Sequence, residues 1–173
     1  MKKIGILFVA LVLASCNAVR VQYDYDRTAD FSAYATYNYY ADMDTGLSEL
    51  DRKRLIKAID FNLRNKGIKL SEEPAILIDI KSRSYTGIQR NTVGVGIGGS
   101  GRNVGGGVNI GIPMGNSKLE REVQIDFVDS QKDALIWQAT AVSSFYENSS
   151  PEVREEKFLQ LVTKAFSKYP PKK

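Results

Sequence analysis

Leu119-Glu120-Arg121-Glu122-Val123-Gln124-Ile125-Asp126-Phe127 and Leu135-Ile136-Trp137-Gln138-Ala139-Thr140-Ala141-Val142, joined across Ser130-Gln131-Lys132-Asp133, decide the fold. Val123, Ile125 and Phe127 alternate with Gln124 and Asp126. Leu135, Trp137, Ala139 and Ala141 alternate with Ile136, Gln138, Thr140 and Val142. A period of two means a strand with one face inward. The Ser-Gln-Lys-Asp run between them has turn composition. The reading is a long antiparallel hairpin at the centre of a sheet, with Trp137, the only tryptophan, as a core anchor.

Working outward, Ala75-Ile76-Leu77-Ile78-Asp79-Ile80 is a third β-rich run. It begins just after Pro74, where a strand tolerates proline. Val19, Val21, Tyr23 and Tyr25 alternate with Arg20, Gln22, Asp24 and Asp26, which predicts a strand near the start. Tyr34 to Tyr40 has strand composition as well. Two helices complete the pattern. Ser48 is an N-cap with Asp51 at the capping-box position, Leu55, Ile56, Ile59 and Leu63 recur at helical spacing, and Gly67 closes the helix. Ser150 caps the second helix, and Pro151 sits in its first turn. Phe158, Leu161, Val162, Ala165, Phe166 and Tyr169 form its apolar stripe, and Pro170-Pro171 stops it. The expected fold is α+β: a two-layer sandwich of an antiparallel sheet with two helices on one face.

Between the third run and the central hairpin lies a different kind of sequence. Eleven of the fourteen glycines fall between Gly87 and Gly115. Gly96-Ile97-Gly98-Gly99-Ser100-Gly101 matches GxGxxG by letter, but that fingerprint must open a helix, and more glycine, Val104, Val108, Ile110 and Pro113 follow instead. Val93, Val95 and Ile97, then Val108, Ile110 and Ile112, alternate with small or polar residues. The expectation for residues 87–117 is a Gly-rich hairpin excursion that turns near Gly99–Asn103, with weakly specified register.

Composition narrows the chemistry. There is no histidine and one cysteine, Cys16. A Ser-His-Asp triad and a His-ligated or Cys-ligated zinc site are therefore outside the kit. Carboxylates remain, and Asp126 with Asp129 is the pair to weigh for two-carboxylate glycan chemistry. Their odd separation puts them on opposite strand faces, which counts against it. Asp42-Met43-Asp44-Thr45-Gly46 lacks the ligand register of a calcium loop and reads as a turn. Seven aromatics between Tyr23 and Tyr40 suit either a stacking platform or a sheet with half-buried tyrosines. No catalytic residue, cofactor or metal is expected.

The N-terminus supplies an address. Lys2 and Lys3 precede an apolar run from Ile4 to Val12, which is the pattern of a secretory signal. The run is shorter than the roughly 20 residues a membrane-spanning helix needs. Leu13-Ala14-Ser15-Cys16 resembles a bacterial lipobox, with cleavage between Ser15 and Cys16 and lipid on Cys16. Residues 1–15 are then a signal peptide, 16–20 a lipidated tether and 21–171 a single domain. Losing Lys2 and Lys3 lowers the formal charge from +4 to +2, which gives no basic footprint for nucleic acid. Asn17 after the lipidated residue favours the outer membrane, periplasmic side. The expected partners are the membrane, through the N-terminal lipid, and an envelope protein or, through the Gly-rich segment Gly87–Gly115, a second copy of the chain.

Taken together, Val21-Gln22-Tyr23-Asp24-Tyr25-Asp26, Asp30-Phe31-Ser32-Ala33-Tyr34-Ala35-Thr36-Tyr37, Ile125-Asp126-Phe127-Val128-Asp129, Leu135-Ile136-Trp137-Gln138-Ala139 and Tyr169-Pro170-Pro171 resemble the domain of unknown function 4136 family of small bacterial lipoproteins. The resemblance spans nearly all of the chain after the signal. Gln138 and Ala139 stand where that family often has a basic residue and Gly, and Glu122 where a Gly is common. The resemblance implies the fold and an envelope location. It carries no activity and no site residues.

Overall fold

The computed structural model describes residues 19–86, 119–145 and 148–172. Cys16 and the expected cleavage site before it, and the expected hairpin over 87–117, lie outside them. The strands are β1 (Arg20–Tyr25), β2 (Thr36–Tyr39), β3 (Lys69–Leu70), β4 (Ile76–Thr86), β5 (Leu119–Asp129) and β6 (Ala134–Phe145). The helices are α1 (Glu49–Asn65), between β2 and β3, and α2 (Pro151–Ala165), after β6. Six strands form one sheet in the order β1-β6-β5-β4-β2-β3.

β5 and β6 are the antiparallel hairpin the alternation predicts, flanked by β4 and β1, both antiparallel. The sheet is not antiparallel throughout, however. β2 runs parallel to β4 and to β3. The reason is α1: a strand that crosses over through a helix returns in its original direction. β2 is also shorter than the Tyr34–Tyr40 run, because Phe31–Ala33 forms a 3-10 turn capped by the Asp30 carboxylate, and Tyr34 follows that turn.

One face of the sheet is apolar. Ile76, Ile78 and Ile80 of β4, Val123, Ile125 and Phe127 of β5, and Trp137, Ala139 and Ala141 of β6 are buried together with Leu55, Ile59 and Leu63 of α1 and Phe158, Leu161 and Val162 of α2. Phe127, Trp137, Phe166 and Tyr169 form its aromatic centre, with ring centroids 4.8–6.5 Å apart. Leu135 departs from the expected alternation: it is half exposed, and Ile136 is buried in its place. A register shift between Phe127 and Val128 inserts Ile136 as an extra residue opposite β5, which turns Leu135 to the other face.

Local chemistry sets the helix ends. The Ser48 and Ser150 hydroxyls accept from the N–H of Asp51 and Val153. Gly67, at φ +82°, donates to Arg64, and Ile68 reaches back to Leu63, a Schellman closure. The Asp42–Gly46 segment is a turn, as its sequence predicts. Asp44 accepts from the Gly46 N–H, and Ser82 donates to the Thr45 carbonyl at 2.8 Å, pinning the turn to β4. Gly46 is required there: its φ is +65°, and a Cβ would lie 2.6 Å from the Ser82 carbonyl oxygen.

Candidate functional site

The sheet face opposite the core is polar, and β1, β6, β5 and β4 bring its residues into rows. Asp24 stands opposite Gln138, Gln138 opposite Asp126, and Asp126 opposite Asp79. In the next row Gln22, Thr140, Gln124 and Lys81 follow one another. Asp126 is gripped from two sides, by Gln138 Nε2 at 2.9 Å and Gln124 Nε2 at 2.9 Å. Lys81 Nζ pairs with Asp79 at 2.9 Å. The Asp24 carboxylate accepts from the backbone N–H of Tyr25 at 2.8 Å. A groove of about 270 Å3 lined by Asp24, Asp26, Leu135, Ile136 and Gln138, with Tyr25 and Trp137, borders the end of this row. These groups offer oxygen acceptors, amide donors and one ammonium side by side on a rigid surface. Among the described residues, no three His, Cys, Asp or Glu side chains converge to hold a metal ion.

Three further carboxylates face inward, and each is engaged by the fold. Asp129 is buried and accepts from the Tyr34 hydroxyl at 2.8 Å and from the N–H groups of Gln131 and Lys132 at 2.9 and 3.0 Å. Burial pushes its carboxyl up, but the hydrogen bonds from Tyr34, Lys132 and Gln131 outweigh that and hold it at about 2. The same contact, added to burial, raises the Tyr34 phenol to about 12. Asp60 of α1 accepts from the hydroxyls of both Tyr37 and Tyr39, each at 2.7 Å. Burial first, then that shared carboxylate, pushes both phenols far up.

Asp51, in the first turn of α1, is the third. It is 2% exposed and meets three guanidiniums: Arg54 at 2.9 Å, Arg121 of β5 at 3.2 Å and Arg154 of α2 at 3.0 Å. Arg121 also lies 3.4 Å over the Phe145 ring. The capping-box position of Asp51 therefore serves only in part. Its N–H bonds Ser48, and its carboxylate ties α1 to the sheet and to α2.

Asp126 and Asp129 stand apart as the odd spacing predicts, one on the polar face and one in the core. No two-carboxylate pair forms between them. The aromatics from Tyr23 to Tyr40 do not make a stacking platform either. Tyr34 and Tyr37 are buried, and Phe31 packs edge-on against Tyr25, Tyr34 and Tyr169. Sequence reasoning missed the acidic row and the Asp51 and Asp60 hubs. The alternation of polar residues marked the face, but only the register between strands assembles a row.

A family model described as "Domain of unknown function (DUF4136)" matches residues 21–171, nearly the whole of the chain. The chain belongs to the DUF4136 family. No curated protein matches this DUF4136 chain. Among solved structures it is similar to a PDZ domain protein from Parabacteroides distasonis, with TM-score 0.56 and 14% identity; the match covers 99% of this chain and 41% of that one. It is also similar to the PelC dodecamer from Paraburkholderia phytofirmans, with TM-score 0.50 and 11% identity, over 87% of this chain and 96% of that one. At these identities the DUF4136 domain shares a fold with both. No helix of the described residues is long and apolar enough to cross a membrane.

Proposed function

We propose that the protein is a lipid-anchored lipoprotein of the bacterial cell envelope, held at the periplasmic side of the outer membrane, and that it works as a non-enzymatic binding or scaffolding module. Its two helices and sheet act as a two-layer sandwich from which residues 87–117 depart as a hairpin. The observation that carries this reading is Leu13-Ala14-Ser15-Cys16 after a short apolar run, with Cys16 the only cysteine of the chain. A lone thiol is a liability in an oxidising compartment, and acylation accounts for it. Each buried methylene contributes about 0.8 kcal/mol and one chain binds only marginally, so anchoring requires several acyl chains. The module then meets its partner on the polar sheet face, along the row of Asp24, Gln138, Asp126 and Asp79.

Fractionation of cells tests the anchor. Cys16→Ala moves the protein out of the membrane fraction and removes the mass of the lipid; a variant that stays in the membrane with unchanged mass overturns the reading. Cross-linking of the full-length tagged protein in those cells, read by mass spectrometry, tests the binding role. Monomer alone at every cross-linker length counts against it.

Self-assembly is the second reading. It is favoured by the likeness to a chain whose solved structure is a dodecamer.

A further inference from the structure

We propose that β1 is an edge on which a second copy of this chain adds, antiparallel, about a two-fold axis through Gln22. β1 ends the strand order, with β6 as its partner on one side. The Asp26 N–H donates to the Ile136 carbonyl at 3.0 Å. Hydrogen-bonded and non-hydrogen-bonded pairs alternate along an antiparallel ladder. Arg20, Gln22, Asp24 and Asp26 therefore turn their backbone groups to β6, and Val21, Tyr23 and Tyr25 turn theirs outward. The Tyr25 N–H is met by the Asp24 carboxylate. By the same alternation the N–H groups of Val21 and Tyr23 point away from β6, and β1 has no second strand neighbour among the described residues. The opposite edge of the sheet, β3, has only two residues to offer.

An unpaired edge is a template for another strand, and charges on it usually guard against that. Here the charges select the partner instead. In an antiparallel copy centred on Gln22, Val21 faces Tyr23 of the second chain in a hydrogen-bonded pair, and Tyr23 faces Val21. Four backbone hydrogen bonds form. The flanking non-hydrogen-bonded pairs set Arg20 opposite Asp24 twice, once at each end. Opposite charges directly across a ladder stabilise it. The Arg20 side chain is 67% exposed beyond its contact with Glu120, and Gln22 and Asp24 are exposed, so the surface is open. β1 contains no proline and no bulge. The pairing is isologous and closes at two copies, making one continuous sheet from two.

The test uses the full-length chain in the cell envelope. Gln22→Cys places two thiols across a non-hydrogen-bonded pair, where Cα atoms lie about 4.5 Å apart, within the range of a disulfide. The parent chain, with Cys16 alone, sets the baseline. Lys66→Cys, exposed beyond the end of α1, reports chance collision. After mild oxidation, Gln22→Cys gives at least five-fold more dimer on non-reducing gels than Lys66→Cys. Adding Arg20→Asp or Asp24→Arg brings the yield down to the Lys66→Cys level, and the two together restore it. Gln22→Cys dimer no greater than Lys66→Cys dimer overturns the proposal. So does a yield that the charge swap fails to restore.

Discussion

Replacing Asp51 with Asn removes one negative charge from among three guanidiniums and leaves the shape of the side chain intact. Breaking a buried ion pair by deleting one partner costs about 3–5 kcal/mol, because the charge left behind is uncompensated. Two features place this site at the lower end. The arginine side chains keep 18% (Arg54), 12% (Arg121) and 22% (Arg154) of their exposure, so water reaches them. They also hold other partners: Arg121 Nε approaches Ser84 Oγ, and Arg154 Nε donates to the Ser149 carbonyl. The expected loss is about 3 kcal/mol, which lowers Tm by about 6–12 °C for a domain of this size. Urea unfolding of the chain from Asn17 onward, followed by circular dichroism, reads it as a fall in midpoint at constant slope. Arg154→Met in the Asp51→Asn background then costs less than in the parent, since the contact it removes is already gone. A loss below about 1 kcal/mol, or strict additivity of the pair, refutes the view that Asp51 clamps the two helices to β5.

Asp129 gives the fold an acid limit. Its folded pKa of about 2 lies below the ordinary 3.8, so on acidification the unfolded chain takes up the proton first. The stability it contributes is present above about pH 4 and is lost as pH falls toward 2. Urea midpoints measured across that window fall less steeply for Asp129→Asn than for the parent; equal slopes refute the assignment. Asp126→Asn has the opposite character. It removes a carboxylate that faces Asp79 directly, so stability is unchanged or rises by up to about 1 kcal/mol. Any clear loss of stability in the same urea assay refutes this and shows that the Gln124 and Gln138 contacts need the charge.

Much of the fold was legible because burial writes itself into the period of the sequence. Val123, Ile125 and Phe127 could only be one face of a strand, and Ser48, Gly67, Ser150 and Pro151 marked helix ends by chemistry that acts within a turn. What failed was long-range. The parallel direction of β2 follows from where α1 lets the chain return, and nothing in Thr36–Tyr39 records it. The exposure of Leu135 follows from one extra residue opposite β5, invisible in a run that alternates well. Asp51 read as a cap because its cap partner is three residues away, whereas Arg121 and Arg154 lie 70 and 103 residues downstream. Asp60 carried no signal at all, since its partners Tyr37 and Tyr39 announce only a strand.

The polar face is where this sequence works against its own sheet. Two rows along, Arg83 Nε meets Glu122 at 2.7 Å, and Arg20 meets Glu120 at the same distance, so opposite signs are matched across the strands. The row through Asp24, Asp126 and Asp79 breaks that pattern and sets two carboxylates directly opposite each other. Like charges in such positions destabilise a ladder; Asp126→Asn leaves one oxygen to accept from both Gln124 and Gln138 and relieves the repulsion, whereas Asp79→Asn gives up the ion pair with Lys81. The inward carboxylates, Asp51, Asp60 and Asp129, are each held by several donors and have stability as their explanation. Asp126 and Asp79 have partners as well, Gln124 and Gln138 for the first and Lys81 for the second, but they stand directly opposite each other across the ladder. Residues set against local preference are where a functional constraint is first sought. Under the proposed binding role, substitutions in the acidic row, with its amide donors and the groove at its end, are expected to change recognition and leave folding intact.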